Sequence, residues 1–360
     1  MRVTGGHVPG TRFPGQPLEQ RSGKALRTGR SRVRRPAGAG GDGPPGHPDP
    51  ANGSLTRRTR MSTTDSPSSV SRTRRDRCPG ALRPWPADDG LLVRLRLVGG
   101  RLPARSLRAL AAAAEEYGDG RIRVTSRANV QLRALPGRDG RLEPEVLRAL
   151  EGTGLLPSPS HELVRNVMVS PRTGLTGAEH PSAGRADLRP VTAALDELLC
   201  ADPRRAALPG RFLFVLDDGS GDLLERPCDL GLVALDAHVA QLRVGGGWGP
   251  LTPLGEAAAS LVRLADAFLE RRGDGSDAPW HVAELPTPLT DPVPPDPRLP
   301  EPAPPLPYGP LTEGGRHVPV PDDGLDRPAA EALAEEALAA GTGELVVTPW
   351  RALLVPGEAR

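Results

Sequence analysis

The chain has 360 residues, with 46 Lys and Arg against 44 Asp and Glu, a net charge of +2 with histidine neutral. That length holds two ordinary domains, or one larger domain with a tail. No run of 18 apolar residues occurs and the N-terminus has no apolar stretch, so neither a membrane-spanning helix nor a secretory signal is expected, and a cytoplasmic location is.

The charge is unevenly spread. Residues 1–60 carry twelve Arg and Lys against three Asp and Glu, which leaves the other 300 residues with seven excess acids. This stretch is rich in Gly, Pro and Arg and has almost no apolar periodicity. It cannot bury enough surface to offset its ordering entropy, so residues 1–76 are expected to be a disordered basic tail. Met61 offers a second start, in which case residues 1–60 are not translated. Arginine clusters can neutralise phosphates, but no aromatic side chains interleave them here, so no nucleic-acid partner is expected. The three cysteines, Cys78, Cys200 and Cys228, are too widely spaced for a disulfide framework or a metal knuckle.

Residues 77–160 hold the clearest periodic signals. LLVRLRL (91–97) alternates, with Val93, Leu95 and Leu97 on one strand face and Arg94 and Arg96 on the other. Pro103 opens a helix whose Leu107, Leu110, Ala111 and Ala114 form one stripe and which Gly118 stops. RIRVTSR (121–127) reads as a strand with Ile122 and Val124 inward and Arg121, Arg123, Thr125 and Arg127 on the opposite face. Residues 129–134 continue as a strand, and a helix follows near 143–151. Strand, helix, strand, strand, helix is an α+β half-unit of ferredoxin-like character.

Residues 161–285 form a mixed α/β region. RFLFVLDDGSGDLL (211–224) predicts two strands joined by a polar hairpin turn; its acids lack the spacing and terminal Glu of a calcium loop, so no metal site is assigned. LVAL (232–235) and HVAQLRV (238–244) read as strands and Gly255–Arg272 as an amphipathic helix. GGGWG (245–249) is a turn where backbone could approach a flat ligand, without the spacing or following helix of a dinucleotide loop. Residues 286–310 are a Pro-rich, extended linker.

The last module, 311–360, repeats the first. Residues 324–357 share with 100–137 a Gly, a Pro near a helix start, an Ala- and Leu-rich helix, a Val-Thr strand and a Leu-rich strand ending in Pro-Gly, which points to duplication. The predicted fold is therefore α+β: duplicated ferredoxin-like half-domains around a central mixed α/β region, with a disordered N-terminal tail.

Arg94, Arg96, Arg121, Arg123 and Arg127 share what reads as one sheet face, and Arg165 and Arg211 follow. Such a basic face suits carboxylates or phosphates, because guanidinium binds them as a bidentate fork. The histidines are scattered, no HExxH, GxSxG or P-loop occurs, and no nucleophile–base pair can be nominated.

Three segments carry a resemblance. RCPGALRPWPADDGLLVRLRLVGGRLP (77–103), GDGRIRVTSRANVQLRAL (118–135) and SHELVRNVMVSPRTGL (160–175) resemble the first half of the nitrite/sulfite reductase superfamily. The Cys-Pro-Gly-Ala-Leu-Arg-Pro opening is similar to the precorrin-3B synthase branch of cobalamin biosynthesis, and VTPWRALLVPG (347–357) resembles the start of that branch's second half. The resemblance implies an oxidoreductase acting on a carboxylated tetrapyrrole, siroheme or a precorrin. It places Arg96, Arg123, Arg127, Gln131, Arg165, Asn166 and Arg211 around that ligand. Leu213 stands where a second basic residue belongs, which favours the corrin branch over a siroheme-dependent nitrite or sulfite reductase. The family also carries a [4Fe-4S] cluster on four cysteines downstream of the Val-Thr-Pro-Trp-Arg strand, and no cysteine follows Cys228. Four thiolates are needed, so this chain is expected to bind no cluster, as a truncated enzyme or a non-catalytic tetrapyrrole-binding remnant would.

Overall fold

The computed structural model describes residues 78–175, 184–275, 277–312 and 314–357, all within Ser66–Arg360, one of two units into which the chain divides. The tail read at 1–76 lies outside the described residues. The alternation at 91–97 forms β2 (Gly90–Leu95), which buries Leu91, Val93 and Leu95 and pairs in a hairpin with β1 (Trp85–Ala87). The chain then turns through Gly99 and Gly100 (φ 64° and 70°) into β3 (Arg101–Pro103). A Cβ on Gly100 would lie 2.2 Å from the Val347 carbonyl oxygen, so the turn requires glycine twice over. Next comes α1 (Ala104–Tyr117), with Leu107, Leu110, Ala111 and Ala114 buried and Gly118 closing it, as the periodicity predicts.

The strand expected over 121–127 is shorter. β4 is Arg123–Val124 only, because the Thr125 hydroxyl accepts from the Arg127 and Asn129 amides and folds the chain into a turn with Ala128 at φ 55°. Arg127 therefore sits on a turn instead of the sheet face. β5 (Val130–Leu135), the small hairpin β6 (Gly137–Arg138) and β7 (Arg141–Leu142), and α2 (Pro144–Gly152) complete this half. Its main sheet has the order β1-β2-β5-β4.

The central region contains β8 (Val167–Val169), α3 (Arg189–Ala201), β9 (Phe214–Asp217), β10 (Leu230–Ala234), β11 (Val239–Val244), β12 (Gly247–Pro253) and α4 (Leu254–Arg272). Strands β8, β9 and β10 are parallel neighbours, and β10, β11 and β12 antiparallel ones. The hairpin predicted at 211–224 is not formed. All four residues of β9 are buried, the pattern of an inner strand covered on both faces. After it the chain wraps around the Asp217 carboxylate, which accepts from the amides of Gly219, Gly221 and Leu223. Helices α3 and α4 cover one sheet face, where the Phe212 ring centroid lies 5.3 Å from that of Phe214 and 4.9 Å from that of Phe268 on α4. The residues alternating with these, Met168, Leu213 and Val215, form a separate small cluster with Leu223 on the other face.

The Pro-rich segment adopts no helix or long strand and is fastened to the central sheet. Gln241, 1% exposed, donates to the Pro294 carbonyl and accepts from the Asp296 amide. Then come β13 (Gly309–Pro310), β14 (Gly315–Pro319), α5 (Arg327–Ala339), β15 (Glu344–Thr348) and β16 (Ala352–Pro356). The order β13-β14-β16-β15 repeats β1-β2-β5-β4, and the architecture is α+β with ferredoxin-like halves, as expected.

The halves exchange edges. β3 leaves its own half and pairs antiparallel with β15, while Leu325 bridges Ile122 beside β4 through two 2.9 Å hydrogen bonds. Helices α1 and α5 pack together, and one hydrophobic core contains residues of both halves. Among the described residues no helix is long and apolar enough to cross a membrane.

Leu102 on β3 is fully buried opposite Leu345. Leu102→Ala should lower stability by about 2–5 kcal/mol. Because the core is shared, urea denaturation followed by circular dichroism should show both halves lost in one transition; two separated transitions would contradict the shared core.

Candidate functional site

The face of the central sheet opposite α3 and α4, together with the 125–129 turn, borders a cavity of about 470 Å³. Its floor is aliphatic, from Met168 on β8 and Leu213 just before β9. Arg127, brought in by the turn, Arg226, Arg243 on β11 and His281 stand on its walls, with Glu225 and Asp229 as the acids. Gly245 and Gly246, which join β11 to β12, present bare backbone to it.

Two of the rim arginines are oriented by carbonyl oxygens. Arg127 Nη1 donates to the Arg211 carbonyl at 3.0 Å, and Arg243 donates to those of Leu223 and Arg226 at 3.3 and 2.8 Å. His281 Nδ1 lies 3.2 Å from the Asp229 carboxylate. Asp229 is 3% exposed and also accepts from the amides of Leu213 and Val282. Its hydrogen bond to the ring raises the His281 pKa above the ordinary histidine value, against the opposing effect of burial. Burial pushes the Cys228 thiol up to about 11, so it sits in the wall as a neutral thiol.

Of the seven residues predicted around the ligand, Arg127 lines this cavity. Gln131 lies in a row across the sheet between Arg94 and Arg123 and accepts from Arg94 at 3.3 Å. Arg123 is paired with Asp119 at 2.7 Å. Arg211 stacks its guanidinium 4.9 Å from the Trp280 ring centre and gives its carbonyl to Arg127. The other three are engaged within the protein. Arg96, 4% exposed, donates to the carbonyls of Pro79 and Arg94; Arg165 is held by Asp196 through two bonds of 2.6 and 2.7 Å; and both ends of the buried Asn166 amide are engaged within the protein. These side chains brace the scaffold. Sequence reasoning missed Arg226, Arg243 and His281. The alternation of HVAQLRV could have pointed to Arg243, since it places that residue opposite the buried Leu242; His281 has no local signal.

The three motif segments instead lock to one another. Asn129 accepts from the Leu97 amide at 2.9 Å and donates to Asn166 at 3.0 Å, and Asn166 donates to the Phe212 carbonyl at 3.2 Å. Glu162 accepts from the amides of Ala81 and Leu82. Gly80 has no room for a Cβ there, which would lie 2.4 Å from the Glu162 carboxylate oxygen.

Away from the cavity, Asp217, Asp218 and Asp222 each bring a carboxylate oxygen within 4.8 Å of the others. The cluster is engaged internally, Asp217 by three amides and Asp222 by the Ser170 hydroxyl at 2.6 Å. Burial, then its two acidic neighbours, push Asp222 up to about 7.

Comparison with known proteins agrees with this architecture. Residues 86–151 match the nitrite/sulfite reductase ferredoxin-like half domain. Over 181 residues the chain is 30% identical to precorrin-3B synthase of Sinorhizobium sp, a match covering 50% of this chain and 34% of that protein. The solved structure of the Mycobacterium tuberculosis NirA protein superposes with a TM-score of 0.54 at 21% identity, over 74% of this chain and 53% of that one. The chain thus corresponds to about a third to a half of the length of the relatives it matches.

Asp229→Ala would leave two buried amides without an acceptor, at about 1–3 kcal/mol each. Thermal unfolding should show a large drop in Tm, and an unchanged Tm would remove Asp229 from its structural role. Asp222 makes the opposite kind of prediction. Its folded pKa lies above its unfolded one, so its contribution is complete below the unfolded value near 3.8 and is lost as pH rises towards about 7. Asp222→Asn should therefore be more stable than the parent at pH 8 and nearly equal to it at pH 4, as read by urea midpoints at the two pH values.

Proposed function

We propose that this chain, whose residues 86–151 are a nitrite/sulfite reductase ferredoxin-like half domain, forms the tetrapyrrole-binding part of an oxidoreductase of the precorrin-3B synthase type. The observation that carries the reading is the cavity itself, an aliphatic floor beneath a cationic rim. A carboxylated tetrapyrrole has that pattern in complement: a flat apolar macrocycle with anions around its edge. In this reading Met168 and Leu213 lie against the ring face, while Arg127, Arg226, Arg243 and His281 take the carboxylates. Charge-assisted bonds from guanidinium fix orientation as well as affinity. The aliphatic Leu213, where the reductase pattern has a second cation, supports the corrin branch over a siroheme-dependent nitrite or sulfite reductase.

A [4Fe-4S] cluster does not fit the residues of this chain. It needs four thiolates, and the three cysteines are dispersed among the first half, α3 and the cavity wall. Burial raises the pKa of Cys200 as well as that of Cys228, which opposes the deprotonation that ligation requires. What the cavity residues do in the proposed function is bind and orient the tetrapyrrole.

The test compares two arginines from the same motif. Arg121 faces Asp323 and Asp326 in the second half and is not part of the cavity lining. Titration of the full chain with uroporphyrin, followed by absorbance, should give binding that Arg127→Ala weakens by about 2 kcal/mol, roughly 30-fold, and that Arg121→Ala leaves unchanged. Equal losses in both variants, or no binding by the parent chain, would refute the reading.

A further inference from the structure

Among the cavity's cations one is built differently. His281 lies outside the half domain matched at 86–151 and enters from the segment after α4. Its ring is set by the buried Asp229, whose carboxylate is immobilised by the Leu213 and Val282 amides. Val282 is the next residue in the chain, so the carboxylate grips the imidazole and its backbone together. With Nδ1 held at Asp229, Nε2 is the ring nitrogen through which a ligand would be met. A carboxylate that orients an imidazole in this way fixes its tautomer and favours its protonated form.

We propose that His281 is a specificity-determining residue of this cavity, donating from Nε2 to a ligand carboxylate when protonated and offering only a lone pair when neutral. The inference rests on the reading of the cavity as a tetrapyrrole site and adds to it which wall residue makes recognition depend on pH. The charged groups acting on the ring are Asp229 and Glu284, which favour the protonated form, and Arg127, which opposes it. Glu225, Arg226, Arg243 and the Cys228 thiol occupy the rest of the wall. The sign follows from linkage: a ligand that prefers the imidazolium binds more tightly at low pH and raises the proton affinity of the ring.

The experiment is a titration of the full chain with uroporphyrin between pH 6.5 and 9 at constant ionic strength, a range in which the carboxylates of the probe are ionised. The parent chain should lose about tenfold in affinity across that range, the size of one charge-assisted bond. Arg127→Ala should bind more weakly at every pH yet keep the slope. His281→Gln should bind at the parent's high-pH affinity throughout, and His281→Lys should recover the low-pH affinity with no slope. A measurement on the parent alone covers the case of a variant that fails to fold. The imidazole titration followed by NMR should shift to higher pH when uroporphyrin is added. A pH-independent parent, a His281→Gln variant that keeps the slope, or an unmoved imidazole midpoint would each overturn the role of His281 while leaving an Arg127-dependent tetrapyrrole site intact. No binding by the parent at any pH would overturn the site and this inference together.

Discussion

Everything in the described structure is organised by the exchange of sheet edges between the two halves. Each half has a sheet whose last strand would be open on one side, and an open edge is a template for unwanted pairing. β3, immediately before α1, closes the edge of β15, and Leu325, just before α5, closes that of β4. The residue that starts each helix is thus tied to the opposite sheet, which forces α1 and α5 side by side and leaves one core instead of two. Pairing across such a separation is entropically expensive to close. It is sustained here by burying Leu102 and Leu345 completely. The central region leaves and re-enters between the paired halves, so its position is set by the same exchange.

The buried amide relay carries that constraint to the cavity. Asn129 belongs to the turn that holds Arg127, and Asn166 immediately precedes β8, whose Met168 forms part of the floor. Both carboxamides are hydrogen-bonded within the relay. Buried polar networks that are satisfied in this way fix geometry, whereas partly satisfied ones cost stability. Arg127 and the floor come from different regions of the chain, and the Asn129–Asn166 bond, with that from Arg127 to the Arg211 carbonyl, ties one to the other.

Much of this was legible in the sequence. The strand at 91–97, the helix after Pro103, the helix at 255–272 and the internal repeat all follow from period-2 and period-3.6 patterns that tertiary packing reinforces. The exchange was not legible, since β3 is three residues long and pairs with a strand far away in sequence. The 211–224 segment misled because a turn rich in Asp and Gly reads as a hairpin, while burial of all of β9 reflects neighbours on both sides that no local pattern reveals. The resemblance grouped Arg127, which lines the cavity, with residues whose side chains are engaged away from its lining. Arg96, Arg165 and Asn166 belong to the same motifs and brace the scaffold.

Arg127 and Arg243 differ from many of the chain's other arginines in the charge of the partner. Arg165, Arg205, Arg133 and Arg316 are each held by a carboxylate, so their fields are largely cancelled where they stand. Arg127 and Arg243 are held by neutral carbonyl oxygens, and among the described residues neither has an acidic partner in an ion pair. A carbonyl orients a guanidinium without neutralising it, and above a floor of low polarity that charge is poorly screened. His281 is the exception, since its partner is a carboxylate. Asp229, however, also takes two amide donors, which spread part of its charge into the backbone. The cavity therefore keeps a positive rim at little cost in mobility, because Arg127, Arg243 and His281 are already oriented before any ligand arrives. Preorganised charge of this kind favours an anion-edged planar ligand over an apolar one of the same shape, and it arises from which acceptor each arginine was given more than from how many arginines the chain contains.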